Sequence, residues 1–199
     1  MLKENIAKVA WSAAVMLGLS SQSFAADMAV KAPTAPALSA VSWTGFYVGF
    51  GGGYVSASGE AYDTALNVTD GTAKPNGGFF GIQGGADYQF SNNVVLGIQA
   101  DYGWSSASDT FNNPTDATFR QTGKSKNLGT VTGRLGYAWA SNMTYLKGGY
   151  AWSQGSASYT NTAGTATGSA DINLSGYVVG VGNEYRVHKN IGVFAEYDY

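Results

Sequence analysis

Whatever chemistry this chain can do rests on eight charged side chains: Asp87, Asp101, Glu184, Glu196 and Asp198, with Arg134, Lys147 and Arg186. Each sits in a run where apolar residues alternate with small or polar ones. On a strand, that alternation puts all eight on the face opposite the apolar one. Inside a closed sheet they would either pair with one another as a plug or line a path for small ions. An eight-stranded barrel has an interior that side chains just fill, and an unpaired buried charge is costly. The plug is therefore the favoured reading.

Catalysis on lipid would ask for a histidine near Ser, Asp or Glu. The one histidine, His188, opens the tight turn His188-Lys189-Asn190 and reads as solvent-exposed. With no cysteine and no second histidine, no metal-ligand set can be assembled. Gly49-x-Gly51-x-x-Tyr54 leads into no helix, so its glycines read as close packing rather than a phosphate cradle. No catalytic, cofactor-binding or metal residue is assigned, and no cofactor is expected.

The elements that must position the charges are hairpins. In residues 79–104, Phe80, Ile82, Ala86, Tyr88 and Phe90 share one parity, and Val94, Leu96, Ile98, Ala100, Tyr102 and Trp104 share another. Ser91-Asn92-Asn93 joins the two runs and is far too short for a parallel crossover. The same unit recurs around Ala140-Ser141-Asn142 and His188-Lys189-Asn190, and a first strand precedes it at 44–55. Long polar connections at 56–76, 105–127 and 153–175 alternate with the short turns. Seven strands of about nine to twelve residues result, the length that crosses a bilayer at a tilt.

Residues 1–25 read as a signal peptide outside the fold. Lys3 and Lys8 precede an apolar run, and Ser23-Phe24-Ala25 is a cleavage signal, with cleavage expected after Ala25. Residues 26–42, with Pro33 and Pro36, read as an extended periplasmic lead-in, and 43–199 as the barrel domain. Without Lys3, Lys8 and Glu4 the chain carries 9 basic against 12 acidic side chains, a balance that gives no sign of a nucleic-acid partner, and none is expected.

Charged residues are only 12% of the chain and aromatics 14%, and the aromatics cluster at strand ends. Trp43, Tyr54, Phe90, Trp104, Trp139, Trp152 and Tyr185, with Phe79 and Tyr199, are the expected interfacial girdle. The fold class is all-β: an antiparallel up-and-down transmembrane barrel of eight-stranded type with seven strands present. With the lead-in periplasmic, the long connections face outward. The first and seventh strands both run outward and leave a gap one strand wide.

Lys31-Ala32-Pro33, Trp43-Thr44-Gly45-Phe46-Tyr47-Val48-Gly49 and Gly133-Arg134-Leu135-Gly136-Tyr137 resemble the small outer-membrane surface-antigen barrels of alphaproteobacteria, the opacity-protein-like group. The resemblance spans about residues 26–199. It implies an eight-stranded barrel in the outer membrane with exposed, antigenic loops. It also implies insertion by the barrel-assembly machinery, which recognises a last strand ending in an aromatic residue. The expected function is non-enzymatic: envelope integrity and loop display of antigen or adhesion type. A small-solute porin and a lipid-modifying enzyme are the alternatives. Outer-membrane lipid and lipopolysaccharide are the expected partners, and the sequence names no ligand for the loops.

Overall fold

The computed structural model describes residues 6–19, 41–63, 68–112, 119–161 and 166–199. The strands are β1 (Ile6–Leu19), β2 (Gly45–Asp63), β3 (Val68–Ala73), β4 (Asn76–Gln89), β5 (Val94–Ser105), β6 (Ser108–Asn112), β7 (Phe119–Trp139), β8 (Asn142–Asn161), β9 (Ala166–His188) and β10 (Ile191–Asp198). Eight of them form a closed antiparallel ring in the order β1-β2-β4-β5-β7-β8-β9-β10, with β10 returning to β1. Closure leaves no unpaired edge around the ring, which is what a sheet in hydrocarbon requires.

The expected gap is not there. β1 fills it, antiparallel to β2 from Ile6↔Ser58 to Leu19↔Phe46 and to β10 from Val9↔Asp198 to Leu17↔Ile191. The reason is the two rows of backbone groups that β2 and β10 would otherwise expose, which any extended inward-running segment of this length satisfies. Both ladders break register between Trp11 and Ala14. The cleavage signal and most of the lead-in lie outside the described residues.

The long connections are also more ordered than their composition suggests. β2 continues to Asp63 and folds back through β3, β6 pairs with the far half of β7, and β7, β8 and β9 run on together past the barrel. Polar residues on both faces erase the period-two signal there, but the antiparallel ladder persists from the membrane outward. At the opposite end the turns are short, and Asn93 and Ala140 take positive φ values of 66° and 51°.

The two faces are inverted relative to a water-soluble protein. Ile98 is 67% exposed and Leu146 64%, whereas Arg134 is 2% exposed and Glu184 1%. Apolar residues outward and charged residues inward are the arrangement that a lipid solvent demands. The outer face carries aromatic pairs at two levels. Tyr88–Phe90 and Tyr137–Trp139 lie at the short-turn end, and Tyr102–Trp104 and Tyr150–Trp152 at the long-hairpin end. From Gly129, paired with Trp152, to Trp139 the ladder rises roughly 25 Å at a residue rise of about 3.3 Å and a tilt near 40°. That is the height of an apolar band.

This assignment of faces predicts that Leu96→Arg destabilises the barrel by about 2–4 kcal/mol, the cost of a cation facing mid-bilayer lipid. Urea unfolding in phospholipid vesicles measures it. A loss no larger than that from Gly168→Arg, an exposed position on β9 beyond the girdle with open space around it, would reverse the assignment.

Candidate functional site

The charged residues converge in the lumen because they share the inward parity of their strands. Arg134 on β7 is the hub of one cluster. Its guanidinium contacts the Asp87 carboxylate at 3.0 Å and that of Glu184 at 3.4 Å. It also donates to the Tyr47 hydroxyl at 2.9 Å and the Gln99 amide oxygen at 2.8 Å. The Tyr47 and Tyr145 rings stack against it, with centroids 4.9 and 4.2 Å away. Arg186 joins through Glu184 at 3.2 Å.

Lys147 on β8 organises the second cluster, with Glu196 at 2.7 Å, Asp198 at 2.9 Å and Asp101 at 3.8 Å. Tyr145 donates its hydroxyl to Glu196, and Thr130 donates to Asp101 at 2.6 Å. Arg134 and Lys147 are directly opposite each other across β7 and β8, an unfavourable pairing of like charges. It is tolerated because each turns to its own carboxylates. Gln99 links the clusters: its oxygen accepts from Tyr47 and Arg134, and its amide nitrogen donates to Asp101 at 2.8 Å and Glu196 at 3.2 Å.

Space for these side chains comes from inward glycines. A Cβ at Gly85 would run into the Tyr47 ring, and one at Gly182 into the Tyr145 ring. Apolar clusters close both ends. Trp43, Val95, Ala138, Met143 and Tyr145 pack at the short-turn end. Val55, Phe79 and Ala107 pack with Tyr47 and Phe194 toward the hairpin end. Among the described residues, buried inward side chains line the lumen from Trp43 and Met143 at one end to Val55 and Phe79 toward the other.

All eight charged residues named from the sequence lie in this network. Tyr47, Tyr145, Gln99 and Thr130 were not singled out as members. Their inward parity was readable, but their reach across the lumen depends on register. The girdle needs two corrections. Trp43 is 1% exposed and lies inside, with the Arg186 guanidinium 4.5 Å above its ring. Its parity is that of Tyr47, and a large apolar ring seals the lumen mouth. Phe79 is likewise inward and buried. Tyr54, Phe90, Trp104, Trp139 and Tyr185 are exposed on the outer face, and Trp152 is half-buried over Gly129. Tyr199 is also exposed. His188 is exposed beside the last short turn. Among the described residues no group of three or more His, Cys, Asp or Glu side chains is arranged to hold a metal ion.

Residues 12–199 match the family described as Outer membrane protein beta-barrel domain, and the chain belongs to that family. It is an outer-membrane protein. Over 207 aligned residues it is 29% identical to the 31 kDa outer-membrane immunogenic protein of Brucella melitensis biotype 1, covering 94% of this chain and 84% of the relative. The protein of that description from Brucella suis biovar 1 matches equally. Among solved structures, Ail, the attachment invasion locus protein of Yersinia pestis, aligns over 77% of this chain and 94% of its own, with 13% identity and a TM-score of 0.35.

Proposed function

We propose that this protein is a closed, non-catalytic barrel that reinforces the outer membrane and displays the β2–β3, β6–β7 and β8–β9 hairpins on the cell surface as antigenic or adhesive elements. The observation that carries the reading is the buried, paired charge network across the lumen. Arg134 and Lys147 are each held by more than one carboxylate, and apolar clusters lie beyond them at both ends. A porin needs a continuous polar path, and paired charges of this density leave the interior to side chains. The immunogenic character of the Brucella relatives supports outward display of the hairpins. Residues 1–25 fit an export signal, and the barrel-assembly machinery fits as the inserting partner.

Two readouts on one protein test the proposal. In planar bilayers the purified barrel is expected to give no stable unitary conductance. On unpermeabilised cells an epitope tag within residues 162–165 is expected to bind antibody, while a tag at Asn92 is not. Steady ion-selective openings would favour the small-solute porin, and antibody access at Asn92 would invert the topology.

A further inference from the structure

We infer that the outer half of β7 is a binding site for the phosphate groups of outer-leaflet lipid, formed by Lys124 and Lys126 with Arg120 further out. The inference rests on the orientation just proposed, with the long hairpins outside.

The first observation is a β-bulge. Along β7, Arg134, Thr132, Thr130 and Leu128 share the inward parity, and Lys124 and Arg120 would share it too if the strand were regular. The ladder to β8 instead runs Lys124↔Ser156, Ser125↔Gly155 and then Asn127↔Gln154, so Lys126 is the extra residue. The flip is visible in the contacts. Ser125 meets Ser153 on the inward side at 3.4 Å, while Asn127 donates to Gln154 on the outward side. A bulge re-aims side chains. This one turns Lys124 and Arg120 from the barrel mouth to the convex, membrane-side face, where both are exposed.

The second observation is height. Trp104 pairs with Asn127 and Trp152 with Gly129, so the outer aromatic level ends where the basic run begins. Lys126 and Lys124 stand within about 10 Å of that level along the strand. Interfacial Trp marks the headgroup boundary, and the lipid phosphates lie just beyond it. The third is charge distribution. The β2–β3 hairpin carries Glu60, Asp63 and Asp70 and no base, and Lys74 is the sole other cation in the three long connections. The cations are thus concentrated on one strand. Lys126 contacts Asp171 at 3.2 Å, but with side chains 54% and 81% exposed this pair is weak and gives way to a stronger anion.

The test uses the protein extracted from outer membranes and reconstituted in phosphatidylcholine vesicles containing a minor fraction of bisphosphorylated lipid A. Retention of lipid A on the purified barrel is then measured by mass spectrometry. Lys124→Gln with Lys126→Gln should weaken retention about tenfold, the size of one or two charge-assisted contacts. Lys189→Gln, at the short-turn end, should leave it unchanged. Dephosphorylated lipid A should be retained no better by the natural protein than by the double variant. Equal retention of the two lipids, or an unaffected double variant, overturns the site. Tighter binding of a soluble sulfated polysaccharide than of lipid A would assign the strand to a polyanion outside the membrane and also overturn it. The tag at Asn92 is read on the same cells, so a failure of orientation is distinguished from a failure of the site.

Discussion

Arg134→Met is expected to destabilise the barrel by about 3–5 kcal/mol, because it leaves buried carboxylates without their cation. Asp87 and Glu184 both depend on Arg134, and Tyr47 and Gln99 lose a donor with it. The network is asymmetric. Three cations, Arg134, Lys147 and Arg186, serve five carboxylates, Asp87, Asp101, Glu184, Glu196 and Asp198. Loss of a cation should therefore cost more than loss of a carboxylate. Asp87→Asn alone is expected to be the milder change, and in the Arg134→Met background it should restore part of the lost stability. The measurement is urea unfolding of all three variants in phospholipid vesicles. A cost below about 1 kcal/mol for Arg134→Met would place these charges in contact with water and remove the argument for a sealed lumen.

Larger still is the expected effect of removing β1. Its backbone satisfies the facing edges of β2 and β10 over most of their length, and each unpaired group in lipid costs several kcal/mol. β2 and β10 run in the same direction, so they would have to pair in parallel if they met. A chain beginning at Ala26 is therefore expected to refold poorly and to show no heat-dependent shift on gels. A fused inward-running strand ending in Phe should restore that shift. A chain from Ala26 that already migrates as a folded, heat-modifiable monomer would mean that seven strands suffice. The experiment matters because residues 6–19 also have the composition of an export signal, and a cleaved signal cannot close the mature barrel. N-terminal sequencing of the outer-membrane form decides which role they play: a start ahead of Ile6 keeps β1 in the ring, and a start at Ala26 removes it.

The sequence by itself determined the strands within the membrane, their hairpin pairing and their two faces. The reason is that a strand in a bilayer must keep every second residue apolar, and that constraint is local. Leu96, Ile98 and Val179 could be placed outward, and Asp101, Arg134 and Lys147 inward, from parity alone. Tertiary structure decided what parity cannot. Register set Arg134 opposite Gly97 and Lys147 opposite Gly180, which gives the long side chains room to reach the carboxylates of other strands. Closure recruited Ile6–Leu19, because an unpaired edge is penalised whatever the composition of the segment that covers it. The hairpins beyond the girdle were invisible to periodicity, since water on both faces removes the alternation while the backbone ladder continues. Trp43 shows the same limit in one residue: an aromatic at a strand end reads as girdle, and only the shape of the lumen mouth turns it inward.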